Sequence, residues 1–274
     1  MRPVSVRERF LRVVGKHQCF TLARRTMTRK LTPILLSALA FLLGWRLLTR
    51  YSGIPNFILP SPLSVWMRFL RAVSDGSLLR HTRVTLIEIL LGLFAGVLFA
   101  VVVGYLLARS RTLEKALSPY LIASQAIPII AIAPLLAIWL GPGILSKALI
   151  CALIVFFPVL VNTIVGVRAV PAALYDLMNS LHATRAQILW KVEAPASLPV
   201  VLGGLRIGAT LSVIGAIVGE LVDAREGLGY LLRVGDFQYD TPMVFVAVFT
   251  LIALALTLYG FVLLLEKRFL KWQN

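Results

Sequence analysis

The sequence predicts an all-α membrane protein with six transmembrane helices, and three observations carry that prediction. Of the 274 residues, 59% are hydrophobic and 15% are charged, against about 45–50% apolar and about 25% charged in an ordinary soluble domain. The apolar residues fall in blocks near the ~20 residues needed to cross ~30 Å of hydrocarbon. Lys and Arg gather at the chain start (Arg2, Arg7, Arg9, Arg12, Lys16, Arg24, Arg25, Arg29, Lys30), in alternate connections (Arg109, Arg111, Lys115; Arg168, Arg185, Lys191) and at the end (Lys267, Arg268, Lys271). That is the positive-inside pattern. In a soluble protein a net charge of +16 would point to nucleic acid; beside apolar blocks it points to membrane lipid, with no nucleic-acid partner.

The spans read as roughly 31–49, 84–108, 119–140, 144–167, 200–222 and 243–265. An even number places both termini on one side, and their basic residues make that side the cytoplasm of a bacterial inner membrane. Connections 109–118 and 168–199 then face inward, while 50–83, 141–143 and 223–242 face outward. The organisation expected is a basic segment 1–30, a first helix with its outer connection over 31–83, and a core over 84–274. The long basic leader lacks a convincing cleavage site, so the first span reads as an uncleaved signal anchor. Met27 would also serve as a start, which makes residues 1–26 a candidate dispensable leader. Cys19 and Cys151 fall in different environments and suggest no disulfide. His17, His81 and His182 are scattered, without metal-ligand spacing.

Within 50–83, Ser61-Pro62 offers an N-cap and a first-turn proline. Leu63, Trp66, Met67, Leu70 and Val73 follow at helical spacing. An interfacial amphipathic helix fits that pattern, and a partly ordered loop is the alternative. The second span repeats small residues through Gly92, Gly96, Ala100, Gly104 and Ala108. The fifth does so through Gly204, Gly208, Ser212 and Ala216, with Gly215 and Gly219 on an adjacent face. Such faces let helices approach closely in lipid, where hydrophobic attraction between them is absent, so these two helices are expected at the centre of a bundle. Pro128, Pro134 and Pro158 interrupt the third and fourth spans, where Gln125 and Asn162 place amides. Those amides need internal partners or a water-filled cavity, which makes them either translocation-path groups or buried structural ones. Glu220, among apolar neighbours near the end of the fifth span, is expected to be paired or to face a cavity. It is a candidate for an outer gate or a structural partner of backbone or Arg. Arg206 on the same helix reads as a snorkelling or docking charge.

The connection 168–199 is punctuated like two short helices. Pro171 suits the start of the first, and Leu174, Leu177, Met178 and Leu181 form an apolar stripe opposite Asp176, Asn179 and Ser180. Thr184-Arg185-Ala186-Gln187 fits a capping box. Ile188, Leu189 and Val192 make a second stripe, and Pro195 and Pro199 are expected to end it. A helix–turn–helix held between two spans suits a lever for a soluble partner; a passive amphipathic loop on the bilayer is the alternative.

Residues 176–199 resemble the cytoplasmic Glu-Ala-Ala loop of binding-protein-dependent ATP-binding-cassette (ABC) permeases. Asp176 stands at the acidic position, Leu181-His182-Ala183-Thr184 at the turn, and Pro195 and Pro199 at the close. The likeness extends over about 55–272, through Leu59-Pro60-Ser61-Pro62, Ile127-Pro128, Ala133-Pro134-Leu135, Ser146-Lys147, Phe156-Phe157-Pro158, Gly227-Leu228-Gly229-Tyr230, Glu266 and Trp272. It is similar to the nitrate, sulfonate and taurine permeases and their thiamine-precursor relatives. The resemblance implies a type I ABC importer permease with a MetI-like fold, and a coupling helix formed by Asp176, Leu177, Met178, Leu181, His182, Ala183, Thr184 and Gln187 that docks on an ATPase subunit. It also implies two ATPase copies, an extracytoplasmic solute-binding protein and two permeases, expected as a homodimer. Two departures stand out: Leu177-Met178 replace small residues, and His182 replaces the Gly of the turn. A left-handed His costs about 1–2 kcal/mol more than Gly there.

No Gly-x-x-x-x-Gly-Lys-[Ser/Thr] phosphate loop is present, so an ATPase, if used, is a separate subunit. No catalytic residues, cofactor or metal are expected. An intramembrane enzyme would need clustered acid, base or nucleophile at depth, and no carboxylate pair is expected there. An ion-driven secondary transporter would carry titratable relays in its spans, which are sparse. For the solute, the stretches Ile127–Leu140, Val218-Gly219-Glu220 and Asp240-Thr241-Pro242 look closer to permeases for thiamine pyrimidine precursors or riboflavin-like heterocycles than to those for nitrate, taurine or alkanesulfonates.

Overall fold

The structure is a computed structural model that describes residue 33 and residues 36–270. The basic leader, the signal-anchor start, Met27, Cys19 and the last four residues lie outside the described residues. The chain divides into two units, 1–64 and 65–274. In the first, residues 36–51 form helix α1, and Ser61 Oγ accepts the Ser64 N–H at 3.2 Å, an N-cap bond opening α2 (Pro62–Ser74). On α2 the stripe Trp66, Met67, Leu70 and Val73 is exposed while Val65 and Ala72 are buried. The apolar stripe thus points away from the protein, as on a helix at a lipid interface.

In the second unit α3 (Ser77–Arg109) follows α2 after a short turn in which Gly76 takes φ 73°. Asp75 Oδ1 accepts the Ser77 N–H at 2.9 Å, and its hydrogen bonds with Ser77 hold this carboxyl below the usual carboxylate range. Then come α4 (Arg111–Gln125), α5 (Ile129–Leu140), α6 (Ile144–Arg168), α7 (Ala172–Ser180), α8 (Arg185–Ile188), a π-helical turn Leu189–Glu193, α9 (Ala194–Asp223), α10 (Leu228–Phe237) and α11 (Thr241–Phe269). Among the described residues four helices are long and apolar enough to cross a membrane: α3, α6, the continuous run Arg185–Asp223, and α11. A fifth is reached if α4 and α5 count as one span. The first expected span falls partly outside the described residues.

Three expectations are corrected. The third span is not one helix over 119–140: α4 and α5 meet at 92°. Pro128 has no N–H to continue the ladder and sits at ψ 117° as the N-cap of α5, so the last bonds of α4 tighten to Ala126 N–H to the Ala123 carbonyl and Ile127 N–H to the Ser124 carbonyl. The connection 109–118 shrinks to Ser110, whose Oγ caps α4 through the Leu113 N–H. The charged residues that look like a loop by hydropathy form the first turns of that helix. Pro195 and Pro199 do not end the second short helix. The backbone stays helical from the π-helical turn through Ala194, so Pro195 directly follows that turn and Pro199 is carried inside α9.

The core is built around α6, which lies between α3 and α9. Both small-residue stripes face α6 rather than each other. A Cβ on Gly96 would come within 2.7 Å of the Ala152 carbonyl oxygen, and one on Gly104 within 2.8 Å of Thr163 Cβ. From the α9 side, Gly204 would meet Asn162 Cβ at 2.6 Å and Gly215 would meet Cys151 Cα at 2.8 Å. Backbone-to-backbone approach of this kind leaves α6 as the central helix and the stripe-bearing helices as its flanks. Ala100 and Leu107 of α3 with Val155, Val159 and Leu160 of α6 form one buried cluster, and Ala133 and Leu136 of α5 with Ile150 of α6 form another.

Candidate functional site

The connection between α6 and α9 folds as two short helices with a defined turn. At the end of α7 the Ala183 N–H reaches the Met178 carbonyl and the His182 N–H the Asn179 carbonyl, both at 3.0 Å. His182 itself sits at φ 52°. This is a Schellman close with His in the left-handed position where Gly is usual. The expected capping box is formed: Gln187 N–H donates to Thr184 Oγ1 at 3.3 Å, and Thr184 N–H to Gln187 Oε1 at 2.8 Å. Helix α7 buries no residue. Leu177 is 55% exposed and Leu181 67%, with Asp176 beside them at the surface. Ile188 and Val192 of the second stripe are buried, so the second half of the connection is packed while the first half presents an apolar face outward.

A buried carboxylate that sequence reading passed over anchors this connection. Glu193, at the end of the π-helical turn, has no exposed surface. Its Oε1 accepts the Tyr175 hydroxyl of α7 at 2.8 Å, and its Oε2 accepts the Tyr105 hydroxyl of α3 at 3.0 Å. The Arg109 guanidinium lies 3.0 Å from Oε1 and donates to the Tyr105 hydroxyl at 3.2 Å. Charge and hydrogen-bonding capacity are therefore both met, which a buried carboxylate requires. Burial, followed by the bond to Glu193, pushes the Tyr175 phenol up to about 12. In sequence Glu193 reads as one charge in a basic, amphipathic stretch, and its burial depends on the π turn.

At the opposite end of the bundle a second cluster brings together two carboxylates that lie far apart in the sequence. Glu88 of α3 and Glu220 of α9 are both fully buried and are electrostatic neighbours. Lys147 of α6, 5% exposed, stands 3.5 Å from Glu88. Glu220 Oε1 accepts the Thr85 hydroxyl at 2.6 Å, and Oε2 accepts the Gly229 N–H. The Leu228 N–H donates to Thr85 Oγ1 at 2.8 Å, and the Gly227 N–H to His81 Nδ1 at 3.0 Å. The turn before α10 is thereby fastened onto α3 and α9. A side chain at Gly227, where φ is 117°, would collide with the Glu220 carboxylate. The signal available in sequence was a lone Glu88 within an apolar run, which is costly unless partnered.

The other candidates are not gathered with Glu220. Asn162 Nδ2 donates to the Pro158 carbonyl of its own helix at 2.8 Å and packs against Gly204. Gln125, at the break between α4 and α5, lines a cavity of about 1020 Å³ with Ser124, Gly96, Phe99, Phe156 and Phe157. Neither Asn162 nor Glu220 lines it. Arg206 pairs with Glu266 of α11 and lies 5.6 Å from the Tyr259 ring.

Membrane-length helices packed through small residues, with a capped helix–turn–helix held at one end, define a helical membrane protein. The chain belongs to the family of binding-protein-dependent transport system inner membrane components, whose model matches residues 89–271. It is 46% identical over 232 residues to a riboflavin transport system permease protein of Chloroflexus aurantiacus, covering 85% of this chain and 87% of that protein. It is 36% identical over 230 residues to a formylaminopyrimidine transport permease protein of Halalkalibacterium halodurans, covering 84% and 91%. With a taurine transport system permease protein of Escherichia coli the identity is 33% over 242 residues, covering 86% and 88%.

Proposed function

We propose that this chain is the membrane-spanning subunit of an ATP-driven importer for a small solute, and that it couples ATP hydrolysis by a partner to translocation. The observation that carries the reading is the outward apolar face of α7, with Leu177 and Leu181 exposed on a helix–turn–helix fixed by a capping box. Apolar side chains displayed beside polar ones on a rigid element suit docking to a soluble subunit. Asp176, Leu177, Met178, Leu181, His182, Ala183, Thr184 and Gln187 form that coupling surface. The partners are two ABC ATPase subunits, an extracytoplasmic solute-binding protein and a second copy of the permease.

In this reading the chain lies in the bacterial cytoplasmic membrane with six spans of a MetI-like fold and both termini cytoplasmic. The segment 31–49 is the first span and the bent α4–α5 pair the third. Residues 1–30 and 31–83 precede a permease core over 84–274. Of the translocation-path candidates, Gln125 has the best support because it touches the cavity; Asn162 and Glu220 act from the surrounding helices. The solute is a thiamine pyrimidine precursor or related heterocycle, which the similarity to the riboflavin and formylaminopyrimidine permeases supports. Taurine, alkanesulfonates or nitrate form the second reading, favoured by the similarity to the taurine permease.

Uptake of labelled riboflavin, formylaminopyrimidine and taurine by cells carrying the complete transporter separates the solutes. Leu181→Asp tests the coupling surface. The variant inserts normally because the apolar spans are untouched, while the ATPase no longer co-purifies and uptake collapses. Normal uptake with the ATPase still bound would make the connection a passive loop.

A further inference from the structure

We infer that Glu193 is the positioning residue through which displacement of the connecting helix α7 is carried into α3. The inference rests on the coupling role proposed above and adds the path by which it acts. Helix α7 buries none of its residues. Among the described residues, the Tyr175 hydroxyl bond to Glu193 is the side-chain hydrogen bond that ties α7 to another element. A helix pushed by a partner but held by little else transmits force where it is pinned, and Tyr175 supplies that pin at mid-helix.

The far side of the pin is α3. Tyr105 bonds the other oxygen of the same carboxylate, Arg109 lies against the oxygen that Tyr175 also holds, and Arg109 is bonded to Tyr105. Three donors converging on one buried acceptor form a short, directional joint, because charge-assisted bonds lose strength quickly with distance and angle. The joint is placed by an unusual backbone: the π-helical turn Leu189–Glu193 inserts an extra residue into the helix entering α9 and rotates Glu193 toward α3. Single π turns of this kind recur at functional positions. Beside the joint lies a cavity of about 400 Å³ lined by Val101, Tyr105, Thr163, Trp190, Glu193 and Val201, among others. That space lets the Tyr105 and Glu193 side chains shift without breaking the close packing around them. The arrangement has what transmission requires: an exposed lever, a buried joint, and a second helix with room to move.

The test uses the reconstituted transporter with its ATPase, Cys19→Ser in the permease, and spin labels on cysteines replacing exposed Leu98 of α3 and Leu256 of α11. Inter-label distances are measured before and after trapping with ATP and vanadate, for the parent and for Glu193→Gln and Tyr175→Phe. In the parent, trapping moves a population to a new distance. In both variants that population falls about tenfold, the loss expected when one charge-assisted bond of the joint is removed, while the ATPase still co-purifies. Tyr175→Phe removes only a hydroxyl on an exposed helix, so it remains informative even where Glu193→Gln fails to fold. An unchanged distance shift in Tyr175→Phe overturns the inference, as does loss of the ATPase from that variant, which would make the joint part of the docking surface. Failure of the parent itself to retain an ATPase sinks the importer reading, and the transmission path with it.

Discussion

Replacing Gly215 by Ala, with Gly203→Ala as its control on the same helix, measures how strongly the bundle depends on close approach. Both sites lie within α9, so each replacement gains about the same helix propensity, up to about 1 kcal/mol. Their surroundings differ. A Cβ at Gly203 meets nothing within 4 Å, whereas one at Gly215 would stand 2.8 Å from Cys151 Cα and 3.2 Å from its backbone nitrogen. Backbone cannot rotate away as a side-chain tip can, so α6 and α9 must separate by several tenths of an ångström along a face that Cys151, Ala216 and Ser212 fill completely. Overpacking of that kind costs about 1–3 kcal/mol. The propensity terms cancel in the difference between the two variants, which isolates the packing cost. Reversible unfolding in mixed micelles with rising SDS should place Gly203→Ala at or slightly above the parent and Gly215→Ala about 1–3 kcal/mol below Gly203→Ala. Equal midpoints for the two would refute the claim that glycine on this face is required by contact with α6.

Three further outcomes follow from the same geometry. Lys147→Met leaves Glu88 and Glu220 buried without their cation and should cost about 3–5 kcal/mol in the same unfolding assay; adding Glu88→Gln should recover part of that loss, and no recovery would disprove the charge coupling. Thr184→Ala removes the N-cap of α8 and should lower ATPase co-purification in the direction of Leu181→Asp but more weakly, through a loss of about 0.5–2 kcal/mol; full retention would show that the capping box does not hold the docking geometry. Reporter fusions after Asn274 and at Gly143 should report opposite sides of the membrane, and agreement between them would require a different number of spans.

Much of the architecture was legible because lipid imposes simple demands. Helices α6 and α11 stand close to the spans read from hydropathy at 144–167 and 243–265, since a membrane-length apolar run leaves the backbone one way to satisfy its hydrogen bonds. The capping box at Thr184 and the left-handed turn at His182 were equally local, being decided by residues within one or two turns of each other. The bend at Pro128 was less legible. Proline in a membrane helix is compatible with a kink or with continuation, and here Pro119, Pro134, Pro158 and Pro199 are carried inside helices while Pro128 marks a break of 92°.

Composition, span periodicity and the punctuation of 168–199 determined by themselves that this is a helical membrane protein with a structured helix pair between two of its spans. These are properties of single segments, set by the transfer of side chains to hydrocarbon and by local hydrogen bonding. Only the tertiary structure decided that α6 is the central helix, that Glu88, Lys147 and Glu220 share one buried site, and that Tyr105, Tyr175 and Arg109 converge on Glu193. Each of those depends on residues far apart in the chain meeting across helices. Buried charge at such a meeting is tolerable only with its partners in place, so its location follows from the packing and not from any one segment.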